Sequence, residues 1–576
     1  MALVVAGLYL VSSRSAFQFD DLHSIVGNPH LRSLANLPWF FVRSDMFSEH
    51  SWGRMYRPLV LAFHAANYAW GGDQVAGYRV VNALLHALNS GLVVALLAAL
   101  GQSRGPAVLG GLVFGLLPVN SEVVYYISAR SESLSALFLF VAVLAYVRGT
   151  ARGMVDGRWL ALGTAAYGLA LLSKETGIIL PAWLVLWEAS RLPAGSGRAA
   201  LPRHLLRRQW GVWVVSLAYL AGARGHVIEA AISHPVRLPA VQLATQAKAW
   251  LYYVLLLWQP TSLSVEHQFR LVDSVAGAVP AAGAVLVLAS GAWLVLRLGR
   301  RFGGLHWAGW AALALLPTSL VPLNVLVNEH RLYLPSVAFS FLVAACLGRL
   351  SAAHRAWGSA AVALLLVIYG ALAARRGAAW ADAGRLWGEA VVRAPLMPRP
   401  HLFLGDHYQA VGDYGRALRE YALAETVYPA VLSPGDRLQL HNNRGAALLT
   451  LGRFTQAEEE YRRALRIDPT YPPSRDALEG LQAMAGARRD PRAEALQQQG
   501  LALVVQGRLD EAAARFQASL QAQSWPDAWL SLGLVYERLG KVDEARAAYR
   551  SLALVGQGTP FESTARDRMQ ALEGQR

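Results

Sequence analysis

The sequence predicts an all-α chain in two parts, a polytopic bundle of membrane-spanning helices followed by a stack of helical repeats. Three observations carry this. Of the 576 residues, 54% are hydrophobic and only 16% charged, against about a quarter charged in ordinary globular chains, so long segments must lie in something less polar than water. The net charge of +15 is confined to one part: residues 378–576 hold 24 basic and 24 acidic side chains, leaving residues 1–377 with 29 basic against 14 acidic. Finally, glycine, alanine and aromatic residues recur at fixed offsets in the second part. The boundary between a membrane-embedded domain, 1–377, and a soluble repeat domain, 378–576, is expected there. A single cysteine, Cys346, excludes an intramolecular disulfide framework and any multi-cysteine zinc site.

In the first part, the long uncharged runs 80–100, 134–147, 275–296 and 360–374 read as membrane-spanning helices. Shorter candidates are 2–11, 107–119, 159–172, 176–187, 210–223, 307–323 and 333–347. The run 2–11 has neither a basic start nor a small-residue cleavage site, so it is expected to be retained as the first span. Orientation follows from Lys and Arg staying on the cytoplasmic side of short loops. Arg104; Arg148, Arg152 and Arg158; Arg191, Arg198, Arg203, Arg207 and Arg208; Arg297, Arg300 and Arg301; and Arg349 with Arg355 give 14 basic residues against two acids, Asp156 and Glu188. All these loops share one side if 241–258, interrupted by Lys248 and ended by Gln259-Pro260, enters and leaves on the outer face. About 11 spans are then expected, with the N-terminus cytoplasmic and the repeat domain outside the cytoplasm. If 241–258 spans, the repeat domain turns to the cytoplasm.

In the second part, Gly405, Tyr408, Ala417, Tyr421 and Ala424 match Gly445, Leu448, Ala457, Tyr461 and Ala464. The same offsets recur at Gly500, Leu503, Ala512 and Phe516, and at Gly533, Tyr536, Ala545 and Tyr549. This is the tetratricopeptide pattern, in which small residues let two helices approach and an aromatic fills the space between them. Repeats are expected near 398–431, 438–471, 493–525 and 526–559. Such an array forms a superhelix with a concave face suited to an extended peptide, or only spaces or dimerises the protein.

Charged residues at the outer ends of the spans are the candidates for chemistry. Asp20 and Asp21 follow the first span; adjacent carboxylates repel, which raises one pKa and suits it to accept a proton from a hydroxyl. Arg57 and His86 lie in and after the first outer loop; Glu122 precedes Arg130; Lys174-Glu175 interrupts two apolar runs; His330, Arg331 and Tyr333 follow Glu329. Cations of this kind can hold a lipid phosphate, and a carboxylate can act as base. No complete set of metal ligands stands out. Nucleic acid is not an expected partner, because the soluble domain has no net positive charge and the Arg excess follows topology.

The motifs Phe19-Asp20-Asp21, Tyr56-Arg57-Pro58-Leu59, Gly77-Tyr78-Arg79-x-x-Asn82-x-x-x-His86, Pro118-Val-Asn-Ser-Glu122, Ser128-x-Arg130-x-Glu132, Leu-Leu-Ser-Lys174-Glu175, Leu263-Ser264-Val265-Glu266 and Glu329-His330-Arg331-Leu332-Tyr333-Leu334-Pro335 together resemble the transmembrane and tetratricopeptide-repeat O-mannosyltransferase family. The resemblance covers nearly the whole chain, and the order of the motifs makes it specific. It implies a glycosyltransferase C-type membrane fold and transfer of a mannose-like hexose from a polyprenyl phosphate to Ser or Thr outside the cytoplasm. It also implies Asp20 or Asp21 as base, with Glu122, Arg130, Lys174, Glu175, His330 and Arg331 shaping the donor phosphate and sugar site. The donor is then a substrate; no cofactor is expected, although the Asp20-Asp21 pair leaves a divalent ion open. One departure stands out: the family often has His before the proline of its third motif, and here Leu117 precedes Pro118.

The expected function is therefore protein O-glycosylation by a multi-pass membrane enzyme, with a polyprenyl-phosphate sugar, an acceptor polypeptide and membrane lipids as partners. Fifty Arg against three Lys point to a compositionally biased, bacterial source, hence an inner membrane. Two rival classes are a non-catalytic membrane-anchored repeat scaffold, for which so many spans are unnecessary, and a lipid-linked sugar transporter, for which charges are expected at mid-span.

Overall fold

The structure is a computed structural model that describes residues 1–12, 16–49, 55–151, 155–191, 200–223, 237–273, 275–298, 304–486, 490–557 and 559–573. Arg152, Arg198, Arg300 and Arg301 of the basic loops fall outside these residues. Among the described residues there are helices and no strands. Two compact units are present, Met1–Pro395 and Leu396–Arg576. The boundary therefore lies beyond the compositional one at 377/378. The amphipathic helix Ala383–Arg393 is polar enough to count with the soluble part, yet it belongs to the first unit and buries Leu386, Trp387 and Ala390.

In the first unit, Val75–Ala99 packs against Arg104–Leu116 and Arg130–Gly149, and the latter runs along Gly157–Ser173. Close approach depends on glycine, as in other bundles that pack without a water-driven hydrophobic effect. A Cβ at Gly111 would stand 2.8 Å from the Ser90 carbonyl oxygen, and one at Gly163 would stand 3.2 Å from that of Ala142. The core includes Trp183 and Trp310, edge to face at 5.5 Å. The Trp310 indole donates to the Leu334 carbonyl at 2.8 Å, so its polar edge is satisfied.

Four helices are long and apolar enough to cross a membrane among the described residues: Val75–Ala99, Ile127–Gly149, Pro335–Ala353 and Arg355–Ala379. A fifth span is available if Arg104–Leu116 and Pro118–Tyr125, bent by 52° at the proline, act together. Ala2–Val11 and Gly277–Ala292 are shorter apolar helices. Helix length and composition thus give four or five spans where loop charge leads to about 11. The helix Val275–Leu298 covers the expected run 275–296, while other helices are shorter or carry polar residues. Pro239–Trp258, for example, is one continuous helix that buries Gln242, Thr245 and Gln246. Arg355–Ala379 leaves Trp357, Leu364 and Val367 exposed, a surface that lipid rather than water would solvate. The unit is that of a multi-pass membrane protein.

The second unit contains four helix pairs: Pro398–Ala410 with Tyr414–Thr426, Pro434–Thr450 with Phe454–Ile467, Pro491–Val505 with Leu509–Ala522, and Pro526–Arg538 with Val542–Val555. Each pair turns on a glycine in the left-handed region, Gly412, Gly452, Gly507 and Gly540, with φ of 81°, 74°, 75° and 71°. Gly405, Gly445, Gly500 and Gly533 lie against the rings of Tyr421, Tyr461, Phe516 and Tyr549 respectively. The long step between the second and third pairs is filled by the helix Pro472–Gly486, and Pro560–Glu573 follows the fourth pair. One core, including Tyr461, Leu481, Tyr549 and Phe561, joins these helices to the second and fourth pairs. A Cβ at Gly533 would stand only 2.5 Å from Tyr549. Gly533→Val is therefore expected to destabilise this unit by about 1–3 kcal/mol, read as an earlier unfolding transition; an unchanged midpoint would mean that the ring yields.

Candidate active site

The candidate site is organised by residues 121–132: the helix Ser121–Tyr125, a 3-10 turn at Ile127–Ala129 and the first turn of Arg130–Gly149. Along this stretch Glu122 meets His330, Tyr126 meets Asp20, Ser128 meets Asp21, Arg130 meets Asn67 and Asn82, and Glu132 meets Lys174. Ser128 and Glu132 are one helical turn apart, about 6 Å along the axis. The acidic pair and the Lys174 pair are thereby anchored on neighbouring turns.

The two adjacent aspartates occupy different environments. Asp21 is 1% exposed. Its Oδ1 accepts from the Ser128 amide at 2.8 Å and the Ser128 hydroxyl at 2.6 Å, and its Oδ2 accepts from the Gln18 amide at 3.1 Å. Asp20 has a side chain 42% exposed; it accepts from the Tyr126 hydroxyl at 2.6 Å and lies 3.4 Å from His23 Nε2. Tyr126 is in turn stacked on Trp380, with ring centroids 5.7 Å apart. Phe19, immediately before the pair, has φ 55° and is the one non-glycine residue with positive φ among the described residues. Such a backbone costs of order 1 kcal/mol and persists only where the surroundings hold it, as around functional turns.

Burial pushes the Asp21 carboxyl up to about 6, against the pull of its hydrogen bonds from Ser128 and Gln18. The folded state thus binds this proton more tightly than the unfolded chain. The group favours folding most below the normal carboxyl range near 4, and that contribution is lost as pH rises through about 6. Its effect on the site runs the other way, because the ionised carboxylate is the better acceptor for its three donors. An acidic fall in activity with a midpoint near pH 6 is expected, abolished in Asp21→Asn; a limb unchanged in that variant would assign it to another group.

The other candidate charges form two ion pairs and one histidine–carboxyl contact. Arg57 makes a forked contact with Glu175 at 2.8 and 3.2 Å. Lys174 donates to Glu132, both nearly buried. His330 Nδ1 lies 2.9 Å from Glu122 Oε1. Against the desolvation its surroundings impose, Arg57 and Lys174 hold the Glu175 carboxyl down to about 2. Burial, reinforced by Lys174, Arg331 and Arg57, pushes the His330 imidazole well below its usual range. These shared electrostatic partners place Arg57, Lys174, Glu175, His330 and Arg331 in one neighbourhood.

The remaining candidates are engaged within the fold. Arg130 is fully buried and donates to Asn82 Oδ1 at 2.7 Å, Asn67 Oδ1 at 2.6 Å and the Tyr78 carbonyl at 2.8 Å, so its guanidinium is occupied without a ligand. His86 and Tyr333 are buried partners, with Nδ1 to Oη 2.8 Å, and His86 Nε2 lies 3.0 Å from the Gly115 carbonyl oxygen. Arg331 donates to the carbonyls of Leu326 and Val325 at 3.0 and 2.7 Å, which leaves it bracing its own turn.

Tyr126 is a part of the site that the sequence reading did not single out, whereas Phe19, Ser128 and Glu132 stand in its motifs without a role assigned to them. Among the described residues no group of three or more His, Cys, Asp or Glu side chains is arranged to hold a metal ion.

Residues 498–561 and 439–471 match tetratricopeptide repeat families. The chain is 31% identical over 193 residues to protein O-mannosyl-transferase tmtc2 of Xenopus laevis, covering 31% of this chain and 22% of the relative. It is 24% identical over 521 residues to human protein O-mannosyl-transferase TMTC3, covering 82% of this chain and 55% of the relative. The match thus spans about a fifth of the former and about half of the latter. A crystal structure of ArnT from Cupriavidus metallidurans bound to undecaprenyl phosphate aligns with 80% of this chain and 78% of its own, at 17% identity and a TM-score of 0.37, a likeness too distant to carry an argument. With its ordered motifs, its helical membrane unit and its repeats, the chain is a homologue of the transmembrane and tetratricopeptide-repeat protein O-mannosyl-transferases.

Proposed function

We propose that the protein transfers a mannose-like hexose from a polyprenyl phosphate to Ser or Thr hydroxyls of an acceptor polypeptide, on the extracytoplasmic face of a membrane. The observation that carries this reading is the division of labour between the two aspartates. Asp21 is buried and accepts from three protein donors, whereas the Asp20 carboxylate is part-exposed beside Tyr126 and His23. Asp20 is the group placed to take the acceptor proton, and Asp21 fixes it through Ser128.

In the proposed reaction the acceptor oxygen attacks the anomeric carbon as Asp20 accepts its proton. The bond from that carbon to the phosphate oxygen breaks, and the phosphate leaves as an anion that needs no proton, so one base suffices. Lys174 uses one of its three N–H donors on Glu132, and Arg57 is positioned by Glu175. Their remaining donors offer the phosphate charge-assisted hydrogen bonds. Arg331 then acts by holding the turn that carries His330, and Arg130 by fixing the 121–132 stretch. The reaction as proposed calls for no metal ion. The topology proposed with it has about 11 spans, a cytoplasmic N-terminus and repeats outside a bacterial inner membrane, where they bind the acceptor polypeptide.

The test is transfer of labelled hexose from a polyprenyl phosphate to a synthetic peptide by the full chain in lipid vesicles. Label on Ser or Thr, absent when those residues are Ala, is the expected result; no label on any hydroxyl-bearing peptide overturns the reading.

A further inference from the structure

We infer that Trp380, which ends the last long helix of the first unit, is a positioning residue for the base: stacked on Tyr126, it fixes the hydroxyl that aims the Asp20 carboxylate. This rests on the proposed transfer for the role of Asp20, although one arm of its test involves no transfer.

The indole is brought to this place by its neighbours in sequence. The helix Arg355–Ala379 ends on Trp380 as its C-cap. A Cβ at Gly377 would stand 2.6 Å from Tyr125 Oη and 2.8 Å from Ser12 Cβ, so only glycine lets the end of the helix come this close to the residue before Tyr126. The buried Arg376 donates to the Leu263 carbonyl at 3.2 Å. Beyond Trp380, Asp382 caps the helix Ala383–Arg393 by accepting from the Arg385 amide at 2.8 Å, and Arg393 donates to the Thr261 carbonyl at 3.1 Å. The chain is thus tied to the 261–263 segment both before and after Trp380.

Tyr126 sits between the helix Ser121–Tyr125 and the turn Ile127–Ala129, with an extended backbone at φ −85° and ψ 109°. Its ring lies on that of Trp380, with centroids 5.7 Å apart and planes at 21°, and 6.0 Å from that of Phe19, tilted by 39°. A tyrosine has only two side-chain torsions, and two aromatic neighbours restrict both. Its hydroxyl is then delivered to Asp20 Oδ2 at 2.6 Å, a shorter contact than the 3.4 Å from Asp20 Oδ1 to His23 Nε2. Phe19, whose φ of 55° directs the chain into Asp20, meets the ring of Trp387 at 6.0 Å and 66°. The two residues that set the aspartate, one through its hydrogen bond and one through its backbone, therefore both pack against the segment 380–387.

Two other roles for Trp380 fit less well. It is 1% exposed and Trp387 3%, so neither presents a face on which a sugar ring could stack. An indole that only filled space would cost stability when removed and leave the rate of the folded protein alone. Stacked on the group that aims a base, its removal costs rate as well, because proton transfer depends on geometry first.

The experiment compares wild type, Trp380→Leu, Trp380→Phe, Tyr126→Phe and the double variant Trp380→Leu with Tyr126→Phe, as full chains in vesicles, with each rate taken per molecule that binds a polyprenyl-phosphate hexose. Trp380→Leu is expected to lower the single-turnover transfer rate about 10- to 10²-fold, the scale of a small misplacement, with the Kd for donor unchanged. Trp380→Phe, which keeps a ring to stack, should recover most of the loss. Tyr126→Phe should be slowed to a similar extent and the double variant no further, since Trp380 acts through the missing hydroxyl. Losses that multiply in the double variant, or a Trp380→Leu rate equal to wild type, overturn the inference. The second arm reads the fluorine resonance of a fluorotyrosine label at Tyr126, which Asp20→Asn should shift when Trp380 is present and leave in place in the Trp380→Leu background. An equal shift in both backgrounds overturns the inference. The expected shifts in a chain that labels no peptide would leave the coupling of Trp380 to Asp20 standing and overturn the proposed reaction instead.

Discussion

Asp20→Asn is expected to slow hexose transfer about 10²- to 10⁴-fold, the usual contribution of a positioned general base, with the KM for donor nearly unchanged. The asparagine keeps an acceptor for the Tyr126 hydroxyl, 2.6 Å away in the native protein, so the turn after Phe19 should survive. What is lost is the capacity to take a proton. Asp21→Asn should act differently. Asp21 accepts three hydrogen bonds in a buried position, so the amide sacrifices part of that holding set and its effect is expected on stability and on the acidic limb near pH 6. Parallel single-turnover rates and thermal unfolding of the two variants separate the roles. A large rate loss in Asp21→Asn with none in Asp20→Asn would reverse the assignment.

Lys174→Met is expected to be among the most destabilising single substitutions in the first unit. Lys174 and Glu132 are 9% and 5% exposed, and removing the ammonium leaves Glu132 a buried charge without its partner. Breaking such a pair costs about 3–5 kcal/mol, whereas replacing both members with apolar residues of similar size is often near neutral. Lys174→Met combined with Glu132→Leu should therefore recover most of the stability while remaining inactive, since the phosphate loses its ammonium. Equilibrium unfolding in mixed detergent measures both. A double variant as unstable as the single one would mean that the pair holds the fold by more than mutual compensation.

These expectations divide along a line that explains what was legible in the sequence. The repeats were readable because their packing is local: Gly533 meets Tyr549 within one helix hairpin, and the same offset recurs at Gly405, Gly445 and Gly500. The acidic pair was readable as two adjacent letters. Its asymmetry was not, since the residue that sequesters Asp21 is Ser128, 107 positions away. Arg130 likewise reads as a cation at a span boundary, and only the approach of Asn67 and Asn82 from two other helices turns it into a buried strut. His86 and Tyr333, 247 residues apart, satisfy each other instead of facing outward. Loop charge says where Arg collects but not how many helices are long enough to cross, and Pro118 bends one candidate by 52°. Composition changes at residue 377, yet packing continues through Trp387, whose ring lies 6.0 Å from that of Phe19 beside the acidic pair. Local patterns gave the classes of structure and chemistry, while distant contacts decided which charges stay available.

The carboxylates after the first helix are expected to activate an acceptor hydroxyl toward a lipid-linked sugar. The most direct measurement is sugar transfer by the double variant Asp20→Asn with Asp21→Asn, in vesicles where its membrane insertion and its Kd for a polyprenyl-phosphate hexose match the wild type. The predicted result is donor bound and no labelled peptide. Labelled peptide at the wild-type rate would show that neither carboxylate is the base.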